Sequence, residues 1–460
     1  MEIVLIAIFV FGYLGIIFEH NIHIDKAASA LFIGMLGWTA FMMFGEGMVS
    51  NLSTYTDFVA KDPENNDFKH FVLHELSHYL SHSAEILFFL MGAMTIVELI
   101  DTHEGFSIIT NKIKSTNKVV LLWIVCFITF FFSAALDNLT TSIVMISLLK
   151  KLVAEQKDRW VFAGFVIIAA NSGGAWSPMG DVTTTMLWIG GQITALHVIV
   201  HLIIPSLVSV IVPLIIVSFT FKGEVRRPAG SDENQDDVLT SYKKNFVFFL
   251  GLTLLLSVPI FKSITHLPPY VGMLLALSIL WIATEILHRG VEKEKKNKYS
   301  IVNVLRKIDL PSILFFLGIL MAISTLQAPG ILTELAETLR FTFEDVYTIN
   351  IIIGFLSAIV DNVPLVAASM GMTPVYTPEM LAVLDPESAT WFSNYVPDGK
   401  AWTFLAYCAG VGGSTLIIGS AAGVAVMGLE KIDFFWYLKK IGWLAAIGYL
   451  AGAFVYILLN

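Results

Sequence analysis

The chain has 460 residues, of which 56% are hydrophobic and 14% are charged, and its mean hydropathy is +0.75. This balance excludes an ordinary soluble protein, because a soluble core of this length would not need so many apolar runs of membrane-spanning length. The formal net charge of −9 is a sum over two membrane faces and says little by itself. We therefore expect an all-α polytopic membrane protein whose partners include membrane lipids and no nucleic acid.

Ten apolar runs are long enough to cross a bilayer. They lie at residues 2–18, 27–44, 84–100, 160–195, 197–221, 245–262, 269–288, 311–327, 401–428 and 434–459. Two further regions, 117–151 and 344–371, are apolar on both sides of an Asp-Asn pair. Each of these two regions is either a spanning helix with a polar middle or a re-entrant hairpin that returns to its own side.

The basic residues favour the hairpins. With two hairpins, about ten full crossings put 23 of the 28 Lys and Arg residues on one side and 5 on the other. Because cytoplasmic loops are enriched in Lys and Arg, the first side is predicted to be cytoplasmic and both termini to lie outside. A single crossing would instead separate Lys112–Lys118 from Lys150–Arg159. We expect a bacterial inner (plasma) membrane.

Three landmarks occur twice in the same order, which indicates an internal duplication. Ser133–Thr140 and Ser357–Pro364 share their Ser-Ala and Asp-Asn positions at an offset of 224 residues. Five crossings separate Ile86–Leu90 from its second copy, Ile313–Leu317, so the two copies are predicted to be inverted, as in many secondary transporters. The third landmark is a glycine segment, in which Gly173, Gly174 and Gly180 match Gly412, Gly413 and Gly419.

The predicted organisation is two inverted repeats joined by a linker. The first repeat covers 1–225, with a re-entrant hairpin at 117–151 and an interrupted transmembrane helix at 160–195. A cytoplasmic linker covers 226–243. The second repeat covers 244–460, with a re-entrant hairpin at 344–371 and an interrupted helix at 401–428.

Two carboxylates lie in the middle of the predicted hairpins, Asp137 and Asp361. A charged side chain at the bilayer centre costs roughly 2.5–3.5 kcal/mol on insertion scales, which marks both as functional candidates. Asn138 and Asn362 add amide oxygens beside them, and Thr140 adds a hydroxyl. The alternative is that each Asp-Asn pair only caps the second arm of its hairpin. Capping does not explain a carboxylate where a neutral residue would serve, so we expect both aspartates to take part in transport.

The glycine segments supply further oxygen atoms. Oxygen-only ligands suit hard cations, and glycine lets a helix unwind so that its carbonyl groups can bind an ion. Close helix packing by small residues is an equally good account of the glycines. Asp181 has no carboxylate counterpart, since Ser420 aligns with it, and is the best single candidate for an asymmetric ligand. The remaining candidates in these segments are Asn171, Thr183, Thr184, Ser414 and Thr415.

A histidine stripe precedes the third span, with His70, His74, His78 and His82 at every fourth position. His74-Glu75-x-x-His78 matches a zinc-protease motif, but no third zinc ligand can be placed. An amphipathic interfacial helix is the simplest interpretation, and pH sensing is an alternative for His74, His78 and His82 because histidine titrates near neutrality. Glu85, in the following span, is a candidate proton group around the main site.

The motifs resemble those of the NhaD-type sodium/proton antiporters. The resemblance rests on the segments Glu85–Asp101, Ala135–Thr141, Asn171–Thr184 and Val360–Pro364 and covers the whole chain. This family belongs to a superfamily that includes arsenite permeases and dicarboxylate carriers. The resemblance implies exchange of Na⁺ or Li⁺ for H⁺, an elevator-like fold of scaffold and transport domains, and a homodimer. It also implies ion-pathway roles for the matched residues, Ser357 among them, with Na⁺ bound in the Asp137/Asp361 region.

The predicted mechanism is competition between ion and proton for membrane-embedded aspartates, in a transporter that is not an enzyme and needs no cofactor. A carboxylate in a low-dielectric site binds a proton or a cation, and either one reduces the cost of moving the site across the membrane. A dicarboxylate carrier is a weaker alternative, since Asp137 and Asp361 would repel its substrate. Arsenite is harder to exclude, and a zinc-dependent membrane enzyme is a remote alternative.

Overall fold

A computed structural model describes residues 2–17, 22–49, 52–61, 67–106, 108, 113, 115–228, 240–289, 299–343, 345–359 and 361–460. These residues form helices, and the only β pairing among them is an isolated bridge between Asn117 and Glu224. Most of the predicted linker, at 229–239, lies outside the described residues. The chain divides into two compact units. Unit 1 contains Met1–Leu90, Asp309–Asp345 and Val363–Pro374, and unit 2 contains Met91–Ile308, Val346–Asn362 and Val375–Asn460.

In chain order the α-helices are α1 (Glu2–Ile17), α2 (Lys26–Phe44), α3 (Glu46–Val49), α4 (Ser53–Lys61), α5 (Phe68–Thr102), α6 (Lys118–Leu136), α7 (Asn138–Leu152), α8 (Gln156–Ala175), α9 (Val182–Ile189), α10 (Ala195–Ser218), α11 (Ser241–Thr265), α12 (Pro269–Leu287), α13 (Ile301–Leu305), α14 (Leu310–Gln327), α15 (Ile331–Phe343), α16 (Val346–Ile359), α17 (Asn362–Met372), α18 (Pro378–Ala382), α19 (Pro386–Phe392), α20 (Lys400–Gly412), α21 (Ala421–Glu430), α22 (Phe434–Tyr437) and α23 (Trp443–Leu459). A 3₁₀ turn, Ser393–Tyr395, follows α19, and a π-helical turn, Leu438–Gly442, joins α22 to α23.

The described part of the chain contains eight helices that are long and apolar enough to span a membrane, or nine if α15 and α16 form one span. This confirms the predicted all-α polytopic membrane class. The eight are α2, α5, α6, α10, α11, α12, α14 and the continuous segment Phe434–Leu459. They leave out α1, which has 16 residues, and the two predicted interrupted helices. Of the halves of these helices, α9, α20 and α21 are too short to span, and α8 has 20 residues but carries the charged Lys157, Asp158 and Arg159 in its first turn.

The helices break where the sequence predicts polar interruptions. In the first half, Asp137 separates α6 from α7, and residues 176–181 separate α8 from α9. In the second half, residues 413–420 separate α20 from α21. Asp137 adopts φ 74° and ψ 157°, a left-handed backbone conformation that is costly for a residue with a side chain. Such a conformation persists only where the surrounding structure holds it in place.

Salt bridges bring the two ends of the α6–α7 segment to one place. Lys118, at the start of α6, lies 2.7 Å from the Asp158 carboxylate, and the adjacent Arg159 lies 3.0 Å from the buried Glu430 carboxylate. Lys150, near the end of α7, lies 3.9 Å from Glu430. The segment therefore returns close to its starting point, as a re-entrant hairpin does. All five residues were predicted to lie on or beside the cytoplasmic face.

A second group of contacts joins segments that the charge count places outside. The Thr194 backbone and hydroxyl both donate to the Asp398 carboxylate, at 2.6 and 2.8 Å. The Lys400 ammonium donates to the Asn460 carbonyl at 2.6 Å, and Lys262 donates to the Trp188 carbonyl at 2.9 Å. Each of these contacts therefore joins residues that were assigned to the same face.

Helix α5 is longer than the predicted third span. It has 35 residues and so extends about 50 Å, well beyond a hydrocarbon core of about 30 Å. The histidine stripe forms the first half of this helix, continuous with the span rather than separate from it. Helical propensity and the absence of Gly or Pro before Gly92 account for this continuity.

Unit 1 is organised around close packing of α2 on α14. A side-chain carbon at Gly34 would clash with backbone atoms of Gly318, and one at Gly318 would clash with the backbone at Ala30. The Trp38 indole donates to the Met321 carbonyl and to the Ser324 hydroxyl, each at 3.1 Å. Small residues at this crossing let the helices approach closely and allow hydrogen bonds between them.

The matched glycines of unit 2 make matched contacts. Gly173 lies against the Phe130 carbonyl on α6, and Gly412 lies against the Gly354 carbonyl on α16, and neither position has room for a side-chain carbon. Phe130 and Gly354 each lie three residues before the serine of their repeat motif. The same approach of an interrupted helix to the arm before an Asp-Asn pair therefore occurs twice.

We predict that Gly412→Ala lowers the thermal stability of the purified protein, since its methyl group would overlap backbone atoms that cannot move aside. Overpacking of this kind costs about 1–3 kcal/mol or more. Gly428→Ala is the matched control: it lies in helix α21 with nothing near its missing side chain, and alanine there favours the helix. Equal melting temperatures for the two variants in detergent would contradict the predicted close approach.

Candidate functional site

Asp181 is the centre of a buried polar cluster in unit 2. It caps the N-terminus of α9, where its Oδ1 accepts from the backbone N–H and the hydroxyl of Thr183, both at 3.0 Å. Its side chain is 1% exposed in relative terms. These capping bonds hold the carboxylate at the break in the first interrupted helix. Asp181 therefore both starts the second half of that helix and places a carboxylate at the break.

The asparagines of both Asp-Asn pairs reach this one carboxylate. The Asn138 amide donates to Asp181 Oδ2 at 2.8 Å, and the Asn362 amide lies 3.4 and 3.3 Å from its Oδ1 and Oδ2. Both asparagines are buried. The hydrogen bonds described for Asp181 therefore all come from neutral donors, and none of the described ion pairs includes it. Its negative charge stays available to a proton or a cation.

Asn171 connects the first half of the chain to the second. Its Oδ1 accepts from Asn138 at 3.1 Å, and its Nδ2 donates to the hydroxyls of Ser414 and Ser420 at 3.0 and 2.9 Å. In the repeat alignment, Gly410 stands at the position of Asn171 and Ser420 at that of Asp181. The cluster is thus built from matched positions that carry different side chains.

Asp137 and Asp361 are the other two carboxylates of this region. Asp137 caps α7, with Oδ1 accepting from the Thr140 backbone N–H and Oδ2 from the Thr140 hydroxyl, both at 2.8 Å. The charges of Asp361 and Asp137 both act on Asp181. Three carboxylates therefore share one region, and like charges so close together are costly unless a cation or proton reduces them.

Ser357 has a structural contact that its counterpart repeats. Its hydroxyl donates to the Ala409 carbonyl at 2.8 Å, and Ser133 makes the equivalent bond to the Ala170 carbonyl. Each serine therefore links its hairpin arm to the neighbouring interrupted helix by a hydrogen bond. The accepting carbonyls belong to the residues just before Asn171 and Gly410. This contact helps to position the arm that carries the Asp-Asn pair.

Several buried hydroxyls around the breaks have no hydrogen-bond partner among the described residues. Two were predicted site residues, Thr184 and Thr415. Two others, Thr141 and Ser142, were not singled out from the sequence. Their spacing was an available signal, because residues three and four positions after Asn138 lie on the same helix face. Buried hydroxyls without partners are costly and are expected where a ligand binds.

The other candidate residues belong to unit 1. Glu85 is half-buried on α5, while His74 is exposed and lies 3.3 Å from Glu75. The ring of His78 packs against Tyr79, and His82 is also exposed. No group of three or more His, Cys, Asp or Glu side chains suited to a metal ion occurs in the described part of the chain.

The chain is similar in sequence to known membrane transporters. The family model described as a citrate transporter, CitMHS, matches residues 13–394. The chain is 43% identical to sodium/proton antiporter 1 of Arabidopsis thaliana, over 99% of this chain and 72% of that protein. It is 41% identical to sodium/proton antiporter 2 of the same plant, over 98% of both proteins. It is 30% identical to the Na(+)/H(+) antiporter NhaD of Alkalimonas amylolytica, over 99% of this chain and 90% of that one.

The family model covers both Asp-Asn pairs and the first interrupted helix, and the matches to the three antiporters extend over nearly the whole chain. The matched proteins and the family are transporters by name, which removes the zinc-enzyme alternative for the histidine stripe. The chain therefore belongs to the CitMHS citrate-transporter family of membrane transporters, alongside the NhaD-type sodium/proton antiporters.

Proposed function

We propose that this protein exchanges Na⁺ or Li⁺ for H⁺ by alternating access, with Asp181 as the group for which cation and proton compete. The observation that carries the proposal is the buried Asp181 carboxylate, which amides from both Asp-Asn pairs hold without neutralising it. The names of the most similar relatives support the same exchange reaction.

The chemistry of the cluster suits a small hard cation. Carboxylate, amide and hydroxyl oxygens are the ligands that such ions prefer. Asn138 and Asn362 direct their N–H groups at Asp181 in this structure, and a half-turn of either amide would present its oxygen to a bound ion instead. The same side chains therefore suit both the ionised carboxylate and its cation-bound form.

Competition at Asp181 couples the two fluxes. A proton or a Na⁺ ion each removes the net charge of the carboxylate, and the two together are disfavoured. A neutralised site crosses a low-dielectric barrier more easily than an empty, ionised one. The charges of Asp137 and Asp361 both act on Asp181 and raise the local attraction for cations, so we assign the exchange to the three aspartates together.

An anionic substrate is a poor fit to this cluster, although the family model carries the name of citrate transporters. A tricarboxylate would face three aspartates, and none of the described ion pairs brings a basic side chain to Asp137 or Asp181. Arsenite is neutral in its hydroxide form and meets no such repulsion. Direct comparison of substrates separates these alternatives.

The architecture that accompanies this mechanism is also a proposal. We propose two inverted repeats, 1–225 and 244–460, that move as an elevator within a homodimer, with both termini outside the cytoplasm. Each compact unit takes segments from both halves of the chain, as expected if each repeat contributes to both a scaffold and a transport domain. Light scattering of the detergent-solubilised protein tests the dimer, and a monomeric mass would contradict it.

We predict that Asp181→Asn reduces Na⁺-dependent proton flux to background, because an amide neither binds a proton nor carries the charge that attracts a cation. Asp137→Asn and Asp361→Asn are predicted to have the same effect. The measurement is internal pH in everted vesicles after addition of Na⁺, Li⁺, K⁺, citrate or arsenite. The control is Asp385→Asn, an exposed N-cap where asparagine caps equally well. Wild-type flux in folded Asp181→Asn would refute the role of this residue.

Thr184 offers a test that separates ion binding from folding. Thr184→Val replaces a hydroxyl that has no described partner, so the stability should stay the same or rise slightly. If this oxygen binds the transported ion, the apparent Na⁺ affinity should fall about tenfold, which corresponds to roughly 1.4 kcal/mol.

The matched control for Thr184 is its neighbour. Thr185 donates to the Pro178 carbonyl at 2.9 Å, so Thr185→Val should lose about 1 kcal/mol of stability and keep the wild-type Na⁺ affinity. Melting temperatures and Na⁺ concentration dependence of both variants provide the comparison. Unchanged Na⁺ affinity in Thr184→Val would exclude its hydroxyl as a ligand.

The proposed sidedness is testable with single cysteines in a background in which the buried Cys126 and Cys408 are replaced by serine. We predict that Glu2→Cys and Ser393→Cys react with an impermeant maleimide on intact cells. Lys157→Cys, which is equally exposed, should react only after permeabilisation. The opposite labelling pattern would place the basic loops outside and overturn the charge-based topology.

A further inference from the structure

We infer that His103 and His288 form a second proton-binding site in unit 2, separate from the Asp181 cluster. The Nε2 atoms of the two imidazoles lie 3.0 Å apart, although 185 residues separate the histidines in the chain. Both side chains are buried, at 0% and 2% relative exposure. The pair joins the turn that follows α5 to the end of α12, both on the predicted cytoplasmic side.

The hydrogen-bond pattern assigns the protons of the neutral pair. His103 Nδ1 lies 2.7 Å from the Leu99 carbonyl, which can only accept, so Nδ1 carries a hydrogen. Neutral His103 then has a lone pair on Nε2, and His288 Nε2 must supply the bridging hydrogen. Each imidazole thus has a defined tautomer that the neighbouring atoms impose.

The spacing fits a shared proton better than a metal ion. An N–H···N hydrogen bond requires nitrogen atoms about 3.0 Å apart. A tetrahedral metal with nitrogen ligands at about 2.0–2.1 Å would hold them about 3.3 Å apart and would need further ligands. No group of three suitable metal ligands occurs in the described part of the chain.

The surroundings favour the neutral pair at neutral pH. The Tyr299 ring stacks parallel to His288, at 5.1 Å between ring centres, and lies 5.4 Å from His103. Lys243 is the charged group whose field acts on His103. Along α5 and its following turn, Glu104 is paired with Lys244 and Glu98 with Lys307, while Asp101 lies two residues before His103. On the other side of the pair, Glu285 and Arg289 flank His288 at the end of α12. Burial lowers the pKa of His103 below its ordinary value, and Lys243 acts in the same direction.

This arrangement makes the pair a latch that opens in acid. Because the folded pKa is depressed, the closed pair is fully stable above the ordinary histidine pKa of about 6.5 and loses stability as pH falls below it. One added proton, at His288 Nδ1, leaves the bridge in place but buries a charge. A second added proton puts two N–H groups face to face, which breaks the bridge.

The turn that His103 opens contacts the arm that carries Asp137. His103 opens a tight turn in which Glu104 has φ 53° and Gly105 has no room for a side chain beside Ile100 and Phe248. Phe106 ends this turn, is 5% exposed, and packs on Phe132 with 6.0 Å between ring centres. Phe132 lies on α6, five residues before Asp137. Opening the latch therefore removes support from one hairpin arm, and exchange should slow when the cytoplasm is acidic.

The proton site itself does not depend on the proposed exchange reaction, and nuclear magnetic resonance tests it directly. The probe is full-length protein with ¹⁵N-histidine in lipid bilayers, titrated from pH 8 to pH 5. We expect a scalar coupling between the two Nε2 nuclei at pH 8 and its loss in the acidic range. Absence of the coupling at pH 8, or its persistence unchanged to pH 5, would overturn the site.

Its effect on exchange rests on the proposed function and has a separate test. In the double variant His103→Gln and His288→Gln, the two amides keep a hydrogen bond but do not titrate near neutrality. Because the bridge breaks only after a second proton is added, wild-type exchange should fall at least about tenfold between pH 6.5 and pH 5. The double variant should lose several-fold less over the same range. An acid response identical to wild type would refute the latch as a regulator.

The matched control is His266→Asn, at an exposed left-handed C-cap of α11 that asparagine tolerates. It should keep the wild-type pH profile, and a profile like that of the double variant would mean that the effect is not specific to the pair. If wild-type vesicles show no exchange at any pH, the proposed function fails, while the magnetic resonance result still decides the proton site.

Discussion

The site depends on one constraint, which is that the buried Asp181 carboxylate must be satisfied without being neutralised. A charged group that is buried without partners is very costly, and a salt bridge would remove its charge from use. Thr183 and two asparagine amides provide the hydrogen bonds, and none of these donors carries a charge. The ionised form is therefore stable enough to exist and still attracts a cation.

The duplicated backbone brings these donors together, and the differences between the copies make the site usable. Gly173 and Gly412 let each hairpin arm approach its interrupted helix, so both Asp-Asn pairs reach the same region. If the second copy also had an aspartate at the position of Ser420, a further negative charge would face Asp181. Gly410 similarly leaves space beside Asp181, where a second asparagine would stand. Symmetry thus builds the framework, while substitution at two matched positions leaves a single central carboxylate.

Sequence reasoning predicted the helical membrane class, the positions of the helix breaks and the side chains at them. These features follow from local signals, namely apolar runs, glycine segments and the cost of polar residues in a bilayer. From the sequence, Asp137 and Asp361 were predicted to be the central residues of the ion site, whereas the hydrogen bonds converge on Asp181. This convergence rests on contacts between residues that are far apart in the chain: 43 positions separate Asn138 from Asp181, and 181 positions separate Asp181 from Asn362. Such contacts depend on how closely the helices approach and on which way each amide points.

The histidine pair was not predicted either, because its two members are also far apart in the chain. Its proton chemistry differs from that of the aspartates. A four-residue stripe is visible in a sequence, but two histidines that are 185 positions apart are not a pattern. A carboxylate gains a neutral state by binding either H⁺ or Na⁺, so it can couple the two. An imidazole that binds a proton becomes a cation and cannot take Na⁺ in its place. Placing protons on a carboxylate at one site and on imidazoles at another therefore lets the protein respond to pH without Na⁺ competing for the sensor.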